Sequence, residues 1–290
     1  MKATTKFSLT FLLLIFFAFL SVIFKSAPPP DGVRIWFFDV GQGDATLIEK
    51  GDYQLLIDGG PDNKILSKLG EVMPLNDRKI ETIILTHAHS DHLTGLNLIL
   101  DRYQIGQVYL SGSDQDSLQY QKFTDKIKKE KVSTRIPKKG ETMMPFEDSS
   151  LTFIWPGENY QNIAADNLNN TSLISKFCYQ KECVLLTGDI EISEQEKMLD
   201  IYAVNLEVFS SSILKVPHHG SKNAVNERFY NAINPKYSIF SVGADNSYGH
   251  PSVLSLDLAK KFNSRILRTD QNKDIIFQID QKNGLVLLNR

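Results

Sequence analysis

All six histidines of this 290-residue chain fall in three short clusters. His87, His89 and His92 lie in 86-THAHSDH-92, His218 and His219 in 215-KVPHHGS-221, and His250 in 247-SYGHP-251. Each cluster sits at the end of an apolar run or in the loop that follows it. Structural histidines would scatter along the chain. Ligand-type side chains grouped at strand ends instead demand a fold that gathers several loops over one edge.

The rest of the chain is read against that demand. VRIWFFDV, ATLIEK and YQLLID, separated by GQG and Gly51-Asp52, predict successive antiparallel strands. ETIILT predicts a buried strand entering the first histidine loop, and DHLTGLNLILDRY a helix leaving it. Residues 114–131 predict an amphipathic surface helix. SLTFIW, TSLISKF and ECVLLTG return to strands, followed by a helix over IEISEQEKMLDIYA and a strand over SSILKVP. NERFYNAIN and SVLSLDLAKKF predict helices on either side of the strand KYSIFSVG, and RILRT, DIIFQID and GLVLLN close with strands. Strands and helices interleave throughout, and both strand-rich halves end in a histidine-bearing loop. This pattern predicts an α/β (α+β) fold of two sheets face to face, helices outside, in one domain over residues 33–290. No internal repeat by residue identity and no low-complexity segment is present.

The N-terminus differs in character. Between Lys6 and Lys25 lie 18 uncharged residues, FSLTFLLLIFFAFLSVIF, a length that fits a signal peptide or a short membrane anchor. A cleavage site wants small residues ahead of the cut, but the boundary VIFKSAPPP puts Lys25 and prolines in the way, which favours an uncleaved anchor over residues 1–25 and a Pro-rich linker over 26–32. Lys2 and Lys6 would stay cytoplasmic, making the remainder extracytoplasmic; secretion after cleavage is the alternative. Cys178 and Cys183 flank a short hairpin linker. They fit a disulfide, which would suit that location, and equally two unpaired small hydrophobes. The net charge of −2 argues against a surface that coats nucleic acid. The basic run 126-KIKKEKVSTRIPKK-139 reads as a solvated helix face. Any phosphate substrate would have to be drawn in by a local site.

In an extended loop His87 and His89 point the same way, whereas Asp91 and His92 open a helix on a diverging course. Two pairs feeding two adjacent ions suit this geometry better than one tetrahedron. Further ligands would come from Asp189 in 185-LLTGDI-190, from His218 or His219, and from His250. A carboxylate such as Asp189 can bridge two ions where a neutral histidine cannot. Ions about 3.5–4 Å apart clamp a hydrolytic transition state and lower the pKa of a bound water towards about 7. Neither a serine nor a cysteine nucleophile is then needed. No GxSxG occurs, 41-GQGDA-45 lacks a serine, and Ser221 reads as a helix N-cap.

THAHSDH matches the HxHxDH signature of the metallo-β-lactamase fold superfamily. More narrowly, FFDVGQGDATLIE, LLIDGG, NNTSLI, LLTGDI, LKVPHHGS and SVGADNSYGHPS resemble the ComEC/Rec2-type hydrolase domain, in the expected order from about residue 34 to 270. The resemblance implies a metallo-β-lactamase αββα four-layer sandwich, here preceded by one N-terminal hydrophobic helix. Two divalent ions, Zn²⁺ or alternatively Mn²⁺, would occupy a cleft at one edge of the sheets, with a phosphoester substrate, DNA included. By the same resemblance His87 and His89 hold the first ion, Asp91 and His92 the second, and Asp189 bridges. Asp58 buttresses the histidine loop, and Gly41 and Gly43 form the tight turn of the first hairpin. His219 is a ligand, His218 contacts the scissile group, and His250 contacts phosphate or donates a proton. The superfamily's middle ligand histidine is missing, since no histidine lies between residues 93 and 217. 169-NNTSL-173 offers Asn170 as a weaker ligand or as a turn residue opening a strand, and a weaker ligand would suit a labile site or a harder ion. That gap argues against β-lactamase activity. Other outcomes compatible with the motifs are hydrolysis of a different ester, such as a choline-phosphate or lactone, and a non-catalytic metal-binding surface protein.

Overall fold

The computed structural model describes residues 32–113, 116–156 and 165–288. The expected anchor over 1–25 and the linker up to residue 31 lie outside the described residues. Among the described residues no helix is long and apolar enough to cross a membrane.

The first sheet is built by β1 (Val33–Phe37), β2 (Thr46–Lys50), β3 (Tyr53–Ile57), β4 (Lys79–Leu85), β5 (Gln104–Leu110) and β6 (Ser133–Arg135). The second contains β7 (Thr142–Met143), β8 (Ser149–Trp155), β9 (Ile174–Tyr179), β10 (Glu182–Leu186), β11 (Ile213–Lys215), β12 (Tyr237–Phe240) and β13 (Arg265–Arg268). β14 (Ile275–Asp280) and β15 (Gly284–Leu288) then return to extend the first sheet beside β1. Both sheets follow one plan. β1, β2 and β3 pair antiparallel and β3 to β6 parallel; β8, β9 and β10 pair antiparallel and β10 to β13 parallel. Parallel neighbours end on the same edge of a sheet, so the loops after β3 and β4, and after β10, β11 and β12, line up in two rows.

Strand periodicity explains the layers. Along β1, Val33, Ile35 and Phe37 join the apolar layer between the sheets, while Trp36 faces the helices. β8 and β10 repeat the alternation, with Leu151, Phe153, Val184 and Leu186 inward and Ile154 and Leu185 outward. Across the central layer Tyr109 of β5 packs on Phe153 of β8 with ring centroids 4.9 Å apart. The helices α1 (Lys64–Val72), α2 (Ser90–Ile99) and α3 (Leu118–Lys129) cover the first sheet through Ile65, Leu69, Leu93, Leu96 and Phe123. On the second sheet α4 (Ile192–Ile201), α5 (Glu227–Ile233) and α6 (Val253–Lys261) do the same through Met198, Phe229, Ile233 and Ala259. The result is helix, sheet, sheet, helix.

The helix α1 and the strands β5, β6 and β7 were not anticipated from the sequence. α1 buries only Ile65 and Leu69, so its apolar stripe is too narrow to mark a helix, although Asn63 stands at its N-cap position. β5 reads QIGQVYL, with Gly106 and two glutamines breaking the alternation; parallel pairing to β4 and β6 imposes the strand from outside. The cysteine question is resolved by β9 and β10, whose register sets Cys178 opposite Cys183, and a disulfide joins them.

Candidate metal centre

β4 delivers the chain into an extended segment, Thr86–His89, and α2 starts at Ser90 with His89 at its N-cap position. Asp91 falls in the first turn, where a carboxylate is favoured by the helix dipole. Close backbone approach locks this helix onto the neighbouring loops. His92 O accepts from Gly59 N at 2.7 Å, and Gly95 N donates to Gly60 O at 3.0 Å. A Cβ on Gly95 would stand 1.8 Å from Gly59 O, and one on Gly43 would stand 2.3 Å from Asp91 O. Only glycine at these two places lets the LLIDGG and GQGDA loops press against the start of α2.

From the second sheet, the Thr187–Ile190 turn after β10 presents Asp189, with its backbone N–H held by Ser172 Oγ at 3.0 Å. Beyond β11, His218 and His219 both adopt left-handed backbone angles (φ 49° and 53°), a strained arrangement for non-glycine residues. That turn separates their side chains. His219 is buried in the cluster, whereas His218 lies at its rim with Nδ1 3.3 Å from Glu191.

The ring atoms converge on one oxygen. Asp189 Oδ2 stands 3.3 Å from His92 Nε2, 3.3 Å from His219 Nε2 and 4.0 Å from His87 Nε2. His219 Nε2 is also 3.3 Å from Asp91 Oδ2, and His87 Nε2 is 3.1 Å from His89 Nδ1. Two donors of a tetrahedral zinc-sized ion, each bonded at 2.0–2.1 Å, lie about 3.3 Å apart. The contacts near 3.3 Å therefore match the edges of a metal polyhedron. Asp91, His92, Asp189 and His219 form a four-donor set whose ligand atoms all lie within 4.8 Å of one another. His87 and His89 make a second pair facing the same carboxylate.

Tautomers are pre-set for ligation. Nδ1 of His92 donates to Asp58 at 2.7 Å and that of His219 to the Ser241 carbonyl at 2.8 Å, leaving each Nε2 as the inward atom. Asp58 in turn accepts from the Thr86 backbone and hydroxyl at 2.8 and 2.7 Å. Thr86 Oγ1 stands 3.1 Å from His87 Nδ1, so one carboxylate orients both ends of the histidine loop. Buried and without a hydrogen-bond partner are His92 Nε2, His219 Nε2, Asp189 Oδ1, Asn169 Oδ1 and His250 Nδ1. Unpaired buried polar atoms are costly, and so many in one place fit a site built for ions.

Electrostatics divides the histidines into two groups. Burial pushes His92 and His219 down, but the carboxylates around them outweigh it, namely Asp189, Asp58 and Asp91 for His92 and Asp189 and Asp44 for His219. Both are raised well above 6.5. Burial wins for His87, His89 and His218, all lowered, and takes His250 to about 4. Against the desolvation that burial imposes, Lys215 and His219 bring Asp44 down to about 2.

Most residues singled out in the sequence meet here, with one exception. Asn170 does not turn its oxygen to the centre: Oδ1 accepts from Glu191 N at 2.9 Å and Nδ2 donates to Ser193 at 3.1 Å. Its neighbour Asn169 lines the cleft with an unpaired oxygen. A kinked 3-10 turn over Ala165–Thr171 faces Asn169 rather than Asn170 to the cleft, and Asn170 serves the turn. Sequence reasoning also missed Asp44 and Lys215. Lys215 is 2% exposed, pairs with Asp44 Oδ2 and lies 3.6 Å from Asp189 Oδ1. A lone lysine inside the apolar strand SSILKVP was the available signal, because an unpaired lysine is almost never buried.

His89, Asp91, Asp189, His218, His219 and His250 are among the residues that line a cleft of about 300 Å³. The family model of the metallo-beta-lactamase superfamily matches residues 38–244. This chain belongs to that superfamily. ComE operon protein 3 of Bacillus subtilis (strain 168) is 27% identical over 85% of this chain and 33% of its own length. Recombination protein 2 of Haemophilus influenzae is 26% identical over 88% of this chain and 30% of its own length. The resemblance to ComEC/Rec2-type domains thus holds, and the chain spans about a third of the length of these relatives. Among solved structures, the metallo-beta-lactamase fold protein YhfI of Bacillus subtilis superposes with a TM-score of 0.52 at 15% identity, covering 82% of this chain and 96% of that one. It shows the fold.

Three outcomes are expected for this superfamily member. His92 and His219, raised above 6.5, contribute stability that is complete below pH about 6.5 and lost as pH rises through the raised values. Metal-free protein is therefore expected to lose melting temperature from neutral to alkaline pH while metal-loaded protein does not. Calorimetric titration in buffers of different ionisation enthalpy should register about two protons released by the ion at His92 and His219, and none by the ion at the already neutral His87 and His89. Equal release from both would contradict this assignment. Lys215→Met leaves Asp44 buried without its cation and is expected to cost about 3–5 kcal/mol in urea unfolding. Adding Asp44→Asn should recover much of the loss; purely additive losses would mean that the pair is not coupled.

Proposed function

We propose that this protein is an extracytoplasmic, two-metal phosphodiesterase acting on nucleic acid. The observation that carries the reading is the convergence of His87, His92 and His219 on Asp189 Oδ2, with His89 and Asp91 completing two donor sets around it. In this reading His87, His89 and Asp189 hold one ion, with Asn169 rather than Asn170 beside it, and Asp91, His92, His219 and Asp189 hold the other. Imidazole and carboxylate donors suit Zn²⁺, and a carboxamide in place of the superfamily's middle histidine suits Mn²⁺. When bound, such ions polarise a phosphoryl oxygen and lower the pKa of water.

The protein's own groups supply the rest. Asp58, through His92 and Thr86, keeps both ends of the histidine loop in place. Lys215 faces the other oxygen of Asp189, which leaves Oδ2 turned to the histidines. At the rim, His218 presents Nδ1 to Glu191, so the neutral ring keeps a lone pair on Nε2 and can take a proton. His250, lowered to about 4, is neutral at pH 7 and can donate an N–H to a non-bridging oxygen. The neutral imidazoles of His218 and His250 at the rim of the cleft suit the oxygens of a phosphodiester better than the acyl group of an apolar ester. The name of the similar recombination protein favours a nucleic acid. The disulfide between Cys178 and Cys183 supports an oxidising compartment, and the apolar run between Lys6 and Lys25 supports anchoring in a membrane.

Purified protein loaded with Zn²⁺ or Mn²⁺ is expected to hydrolyse bis-p-nitrophenyl phosphate and DNA and to leave nitrocefin intact. Asp189→Ala and His87→Ala should each lower the rate by more than about a hundredfold. Turnover of nitrocefin alone would overturn the phosphodiester reading, and less than one ion per chain with no hydrolysis would overturn the enzyme.

A further inference from the structure

The loop between β12 and α6 carries a side chain that the ion chemistry does not use. Tyr248 is 71% exposed, lines the same cleft as Asp91 and Asp189, and makes no hydrogen bond among the described residues. One face of its ring lies against His250, with centroids 5.8 Å apart and planes 24° from parallel. His250 in turn lies 6.2 Å from His219 at 28°, so three rings step from solvent down to the ligand cluster. Most of the Tyr248 side chain is open to solvent.

This loop is held in shape. Asn246 donates to the carbonyls of Gly243 and His250 at 2.8 and 2.7 Å and accepts from His250 N at 3.0 Å. One side chain thus closes the turn beneath Tyr248, and the ring is presented without support from a core. An aromatic ring left in water on a braced loop, in the lining of the cleft that holds the ion donors, has the form of a stacking surface.

We propose that Tyr248 is a nucleobase-stacking platform, which restricts the substrate to strands whose base beside the scissile phosphodiester is unpaired. This rests on the phosphodiesterase reading above. A base inside a continuous duplex has both faces covered by its neighbours and cannot cover the ring, whereas a single strand or a frayed end can. The platform recognises a π-face, so it selects strandedness and not sequence.

The test compares a short oligothymidylate with an abasic deoxyribose-phosphate strand of equal length, measuring KM and kcat on full-length protein with Mn²⁺. Wild type should favour the base-bearing strand by about tenfold in KM, in line with the stacking of a single base. Tyr248→Ala should erase that preference at an unaltered melting temperature, while Tyr248→Trp and Tyr248→Phe keep it. Preference retained by Tyr248→Ala would overturn the platform and leave the phosphodiesterase intact. Preference lost in Tyr248→Phe as well would assign the effect to the hydroxyl and overturn stacking. Failure of wild type to cleave either strand would remove both the platform and the reading beneath it.

Discussion

Asp189 Oδ2 faces Nε2 of three histidines, and its partner oxygen lies 3.6 Å from the buried ammonium of Lys215. Four carboxylates crowd this region: Asp44, Asp58, Asp91 and Asp189. Burying so much negative charge is unfavourable unless positive charge is fixed beside it. In the absence of an ion, Lys215 and two protons, on His92 and His219, supply it. Two protons carry the charge of one divalent ion, so exchanging them for an ion at the four-donor set leaves the cluster's total unchanged. Lys215 is the permanent part of that balance and the histidine protons the replaceable part. This accounts for the division of the histidines into two raised and four lowered members.

The scaffold serves the same end. Two sheets of one plan place the loops after β3 and β4 opposite those after β10, β11 and β12, so each sheet brings aspartates and histidines to a common edge. The donors that stand 3.3 Å apart come from three separate loops, and their spacing is held by backbone contacts that admit no side chain at Gly43 or Gly95. Asp58 then couples Thr86 to His92, turning an extended loop and a helix start into one rigid unit.

Much of this was legible in the sequence. Strand alternation gave away the central layer, since VRIWFFDV and SLTFIW carry the period of two that sorts Phe37 from Trp36 and Phe153 from Ile154. Grouped histidines at strand ends pointed to a shared centre. What stayed hidden depended on chain reversals that leave no periodic signal. The 3-10 kink that turns Asn169 and not Asn170 to the cleft is one case, and the left-handed pair His218 and His219 is another. Asp44 and Lys215 escaped because their partners are distant in sequence and because a charge in an apolar run reads as an edge rather than as a buried pair. β5 was invisible for a simpler reason: its neighbours, not its residues, make it a strand.

Asp189 is the shared point of the two proposed ion sites. Anomalous diffraction from crystals of the protein grown with Zn²⁺ or Mn²⁺ addresses this most directly. Two peaks are predicted, one beside His87 and His89 and one among Asp91, His92 and His219, with Asp189 Oδ2 contacting both. A single peak, or ions bound away from Asp189, would contradict it.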